Sequence, residues 1–326
     1  RAETGAWLRA VSCAADGQTI AAGADDGLLR LYRFDGGPPQ DPILVEAHQG
    51  GILCMAWHPR LPLLMTAGED GYARLWDARG ARLGEHRGAA TWIEDVAWSP
   101  SGGLCAIADG RRVTALDVRC VPVWHAGPHS NTISRLGWRP DGAQLAGATY
   151  GGLKLWRADG QDASLLDWRG SLLSVAWRPD GSVVAAGCQD SSVHFWRMAT
   201  RKDSQMAGYP SKPDALSWSA DGRWLATGGA DAAVLWRFDR KGPEGTTPVE
   251  LRGHEGRISC VAFGPSDMLV TGGVDGRVAL WQARRGSTDA PLTSIPMEDE
   301  VTALSWTPRG LLAADAAGNI FTLQLD

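Results

Sequence analysis

The chain has 326 residues, a formal net charge of −5 and a pI near 5.8, which argues against a general phosphate-binding surface, since non-specific nucleic-acid affinity comes from clustered Lys and Arg. Its composition, 44% hydrophobic and 21% charged with 41 Gly and 18 Pro, is that of a globular, turn-rich protein, and no apolar run reaches the roughly 18 residues needed to span a bilayer. Nucleic-acid binding and membrane insertion are therefore not expected. Six Cys in so long a chain do not make a disulfide framework and suit reduced cytosolic thiols, so a cytoplasmic location is expected, although a chain beginning at Arg1 leaves room for a removed leader or an extension. Four Lys beside 28 Arg suggest a GC-rich bacterial source. Sixteen Trp are the compositional anomaly.

Taken in order, the chain repeats one pattern. Short apolar runs begin at Leu8, Ile52, Ile93, Ile133, Leu172, Pro213, Ile258 and Val301, giving eight units separated by 39 to 45 residues. That period suits a four-stranded propeller blade, and the runs are too short for helices of 3.6 periodicity. VAWSP (96–100), LGWRP (136–140), VAWRP (175–179) and LSWSA (216–220) predict the ends of inner strands, being rich in residues that pack on a pleated surface. Asp16-Gly17, Ser101-Gly102, Asp141-Gly142, Asp180-Gly181 and Asp221-Gly222 follow as hairpin turns, because Gly supplies positive φ and Asp can bond its own backbone. As calcium loops the Asp-Gly pairs lack the further carboxylates a binding loop needs.

At Gly253-His254, Asp275 and Trp281, and again at His48, Asp70 and Trp76-Asp77, the sequence resembles the WD-repeat β-propeller family, and the resemblance covers essentially the whole chain. It implies an all-β, eight-bladed propeller of four-stranded antiparallel blades formed by one domain over 1–326. Each repeat would supply the outer strand of one blade and the inner three of the next. The resemblance also implies hydrogen-bonded sets of His48, Thr66, Asp70 and Trp76, and of His254, Thr271, Asp275 and Trp281, acting as struts. Departures occur at Cys13 and Tyr32 in the first repeat, Leu116 in the third, Tyr150 at the Asp position of the fourth, and Ala317 and Leu323 in the last. The strand expected to close the ring falls before or at the first residues, so the last blade is expected to be incompletely closed, completed by residues preceding Arg1, or completed by a stub from Arg1 to Gly5.

The chain has no GxSxG elbow, HExxH, Walker loop or dinucleotide fingerprint. Cys120, His125 and His129 are the metal candidates, but their spacing is loose, and His129 precedes its strand as His48 and His254 do, which favours a structural hydrogen-bonding role. Cys54 and Cys260 occupy equivalent places and read as small core residues. The remaining candidates lie where the first strands enter the ring and in the turns between second and third strands: Trp7, Arg9, Tyr72, Trp92, Glu94, Tyr150, Lys212, Asp214, Arg257 and Glu300. Loop aromatics beside Arg are the residue types enriched at interface hot spots. The expected function is a non-catalytic scaffold, without a cofactor, presenting a rigid face to partner proteins. A metal-linked or small-ligand-binding propeller using the central channel or the Cys/His residues is the alternative, and a catalytic propeller the third reading.

Overall fold

The computed structural model describes residues 1–35, 40–161, 164–239, 242–283 and 290–324. Eight antiparallel sheets follow one another along the chain, and the innermost strand of each packs beside the next. Leu8–Cys13 of blade 1 lies against Val301–Thr307 of blade 8, which closes the ring. The architecture is the eight-bladed β-propeller that the 39-to-45-residue period implied.

Within a blade, local chemistry sets the register. In blade 2, Ile52–Trp57, Leu63–Gly68, Tyr72–Asp77 and Arg82–Arg87 pair in order, with Ile52 opposite Gly68. The first hairpins of several blades turn on the same device. Asp16, Asp141, Asp180 and Asp221 each accept at Oδ1 from the backbone N–H two residues on, at 2.9–3.0 Å, while the following Gly takes φ between 67° and 73°. This Asx-turn geometry fixes where the second strand starts. In blade 4 the second and third strands form one 14-residue stretch, Gln144–Arg157, folded back at Gly151 and Gly152, whose φ values are 96° and 131°. A Cβ on Gly152 would collide with the Leu166 carbonyl, so the fold-back requires glycine.

Between blades, the inner tryptophans act as stitches. Trp57, Trp98, Trp138, Trp177, Trp218 and Trp306 each donate the indole N–H to a backbone carbonyl on the inner strand of the preceding blade, at 2.9–3.4 Å. Indole combines a large apolar surface with one donor, so it can fill the wedge between blades and still satisfy its N–H. This accounts for much of the Trp excess. Blade 7 carries Phe263 at this place, and its backbone N–H instead takes the Ser217 hydroxyl at 2.9 Å; blade 1 carries Cys13.

Ala2–Glu3 forms the outer strand of blade 8, pairing with Ile320 and Asn319. It is a two-residue strand, where the other blades use four to eight residues. The stub is anchored by side chains: Thr4 donates to the Gly318 carbonyl at 2.9 Å, and Arg1 bonds Asn319 Oδ1 at 2.9 Å and Glu298 at 2.6 Å. Within the given chain, Arg1 to Gly5 thus supplies the short outer strand that the sequence offered as a stub.

Candidate interaction face

Antiparallel pairing puts the start of every first strand and the turn between second and third strands at the same end of the ring, as the Ile52–Gly68 and Ile258–Gly273 pairs show. Trp7, Trp92, Lys212, Arg257 and Glu300 precede first strands there, Arg9, Glu94 and Asp214 lie near their beginnings, and Tyr72 and Tyr150 lie at the second-to-third-strand turns. Trp7, Trp92 and Tyr150 keep 51%, 53% and 59% of their surface exposed. Trp92 is nevertheless held: its indole N–H donates to Glu94 Oε1 at 3.1 Å, and Glu94 Oε2 accepts the Gly110 N–H at 2.8 Å. Burial raises the Glu94 carboxyl above its ordinary value, with these donors opposing. Arg257 and Asp214 face each other across two blades at 3.8 Å.

Tyr72 is differently disposed. Its ring carries the guanidinium groups of Arg74 and Arg87 at 4.5 and 5.2 Å from its centroid, and its hydroxyl accepts from Arg87 at 3.2 Å. Two cation–π contacts within blade 2 commit it to its own blade.

Below the face lie the struts. In blade 2 the Trp76 indole donates to Thr66 Oγ1 at 2.9 Å, Thr66 lies 2.8 Å from His48 Nε2, and His48 Nδ1 lies 2.9 Å from Asp70. A consistent proton order runs from indole to hydroxyl, hydroxyl to Nε2, and Nδ1–H to carboxylate. Blade 7 repeats it with Trp281, Thr271, His254 and Asp275 at 2.9, 2.8 and 3.0 Å. Burial alone would raise the Asp70 carboxyl, but bonds from His48 and from Arg74, the latter 2.7 Å away, outweigh it and hold the group at about 2. Because the folded value is depressed, that stabilisation is complete above the unfolded value of about 3.9 and is lost as pH falls through 2. Asp275→Ala is expected to cost about 1–3 kcal/mol by leaving the His254 N–H unsatisfied, read as a lowered melting temperature with partner capture retained.

The metal candidates do not converge. Cys120 is buried, His125 lies exposed on the outer strand Pro122–Ala126, and His129 packs its ring on Trp156 with centroids 5.4 Å apart. His129 occupies the strut position without making the strut. Its Nε2 and the Trp156 N–H have no hydrogen-bond partner among the described residues: cross-strand pairing puts Gly147, opposite Leu136, where blade 2 carries the strut threonine, so no hydroxyl stands between them, and Thr149 at the end of the strand donates to the Thr132 carbonyl. Other blades hold sets missed in the sequence. Tyr209 accepts from Trp236 and bonds Thr227 at 2.6 and 2.9 Å, replacing the His of blade 6. Asp315 in blade 8 accepts from the Asn319 backbone and amide at 2.8 and 2.9 Å. Counting four residues back from each strand start would have found Tyr209 before Pro213 and Trp168 before Leu172; nothing in the local pattern marks Asp315.

Asp95, on an inner strand beneath Trp92, was also missed. Burial pushes its carboxyl up to about 6, opposed by Arg135 and by the Leu136 N–H at 2.7 Å. A raised folded value means stability is complete below the unfolded value of about 3.9 and declines as pH rises through 6. Asp95→Asn, which keeps an acceptor for Leu136, is expected to raise stability by about 1–3 kcal/mol at pH 8 and to change it little at pH 4 in urea unfolding.

The profile of the WD domain, G-beta repeat, matches residues 2–33, 41–77, 164–197, 207–236 and 245–282. The chain belongs to the WD-repeat family. Among its relatives are the ribosome biogenesis protein WDR12 homolog of Chlamydomonas reinhardtii, 28% identical over 88% of this chain and 65% of its own length, and telomerase protein component 1 of Rattus norvegicus, 26% identical over 94% and 11%. The protein transport protein sec13 of Aspergillus fumigatus is 25% identical over 69% of this chain and 90% of its own. The WD-repeat chain thus spans less than two thirds of the first two relatives. The crystal structure of the computationally designed Ika8 protein shares the fold, with a TM-score of 0.82, 17% identity, and 99% and 98% of the two chains covered. The natural relatives named are eukaryotic and lend no support to a bacterial source. Among the described residues no helix is long and apolar enough to cross a membrane.

Proposed function

We propose that this WD-repeat propeller is a non-catalytic scaffold that binds partner proteins on the end of the ring carrying Trp7, Trp92 and Tyr150. The observation that carries the reading is Trp92: an indole more than half exposed, yet fixed through Glu94 to the Gly110 backbone. A pre-positioned aromatic loses little freedom on binding, which is what a hot-spot residue needs. Charged groups at the same end of the ring, Arg9, Lys212, Asp214, Arg257 and Glu300, would add polar contacts from other blades. Relatives named for ribosome biogenesis and protein transport are consistent with work in assemblies. The six cysteines, all present as thiols, suit a reducing compartment such as the cytoplasm.

The test is capture from native lysate with the wild-type chain and with Trp92→Ala and Arg257→Ala, each first shown to unfold at the wild-type urea midpoint. Loss of a shared set of partners from Trp92→Ala supports this face; full retention by both variants removes it.

A further inference from the structure

Blade 5 departs from blades 2 and 7 at several linked positions. Cross-strand pairing makes Ala186, opposite His194, the counterpart of Thr66 and Thr271, which lie opposite Arg74 and Ala279. Four residues before the strand start, where blades 2 and 7 carry His48 and His254, blade 5 carries Trp168. The strut therefore lacks both its hydroxyl and its imidazole, while Asp190 keeps the carboxylate. The space is refilled by other chemistry. Gly68 and Gly273 have no room for a side chain, since a Cβ there would lie 2.6 and 2.7 Å from the His48 and His254 Nδ1 atoms; blade 5, without that histidine, places Cys188 at the corresponding end of its second strand. His194 enters from the third strand.

The result is a thiol, a carboxylate and an imidazole whose donor atoms all lie within 4.8 Å of one another. Cys188 and His194 are fully buried, and Asp190 is exposed, leaving a route from solvent. Hydrogen bonding sets the histidine tautomer. The single Ser192 hydroxyl proton goes to Asp190, so at the 3.0 Å contact with His194 Nε2 the Ser192 oxygen accepts and Nε2 carries the proton. Nδ1 is left as a bare lone pair, buried and without a partner among the described residues. Trp168 stacks on the His194 ring, with centroids 3.6 Å apart and planes 30° apart, and holds its orientation. At Gly170 a Cβ would lie 2.8 Å from the Trp168 indole nitrogen and 2.9 Å from Cys188 Sγ, so glycine is needed where these groups meet.

We propose that Cys188, Asp190 and His194 form a binding site for one divalent metal ion of the zinc class, bracing blade 5. Mixed sulfur, nitrogen and oxygen donors suit this borderline-soft ion, and a fourth position would be open toward solvent beside Asp190. Zinc bond lengths imply donor separations of about 3.3–3.6 Å, which falls inside the 4.8 Å within which all three donor atoms already lie. Binding requires the thiolate, and the Cys188 proton passes to solvent. Ser192, joining two of the ligands, is an orienting partner outside the coordination shell.

The site is tested with reduced, chelator-stripped, untagged protein titrated first with Co(II) and then with Zn(II). One equivalent of Co(II) should produce thiolate-to-cobalt charge-transfer absorption that Zn(II) abolishes. Cys188→Ser should lose the band and Cys260→Ser should keep it, while Ser192→Ala should weaken affinity about 10–100-fold. Absence of a stoichiometric band in the wild-type protein overturns the site whatever the variants do. So does a band that persists in folded Cys188→Ser.

Discussion

Trp281→Ala is expected to destabilise the ring by about 3–5 kcal/mol, the largest single-residue effect among these variants. Trp281 is fully buried and packs with Ala226, Leu235, Leu251 and Leu269, so it bridges the cores of blades 6 and 7. Truncation opens a cavity between two sheets that are already paired within themselves and can collapse only partly. It also removes the donor to the Thr271 oxygen, whose hydroxyl keeps its bond to His254. Trp281→Phe separates the two contributions: it retains most of the volume, loses the N–H, and should cost only about 1–2 kcal/mol. The measurement is the urea midpoint of each variant at constant slope; equal losses for the two would show that the hydrogen bond, not the packing, dominates.

Loss of partner binding by Trp92→Ala is the second large effect, expected to be at least about 2 kcal/mol, or roughly 30-fold in affinity, if the indole is the centre of an interface. Stability should change by less than about 0.5 kcal/mol, because the side chain is mostly in solvent. Glu94→Gln sharpens the test. It preserves an acceptor for the Trp92 N–H, so it should keep most of the affinity, whereas Glu94→Ala releases the ring and should lose part of it. Affinities for a captured partner by calorimetry decide the matter; a variant series in which Trp92→Ala binds as tightly as wild type places the contact elsewhere on the propeller.

The two kinds of residue differ in how visible they are in the sequence. His48, Thr66, Asp70 and Trp76 lie within 28 positions of one another and recur in blade 7, so one local pattern, once repeated, announces them. The inner-strand tryptophans were visible as a series, but the carbonyls they bond lie 40 to 45 residues earlier, on the neighbouring blade. His129 shows the opposite failure: the residue stands in the right place, and Gly147 at the threonine position leaves its Nε2 without a bond.

The sequence by itself determined the architecture, because a period near 40 residues with Asp-Gly turns dictates short antiparallel strands whose exposed flanks are buried only by repeating the unit around a ring. Tertiary structure alone decided how the ring closes and what fills blade 5. Arg1 meets Asn319 across 318 positions, and Cys188, Asp190 and His194 converge where Trp168 and Ala186 stand in place of the strut histidine and threonine of blades 2 and 7. Such contacts depend on the packing of side chains from separate strands, which periodicity along the chain does not encode.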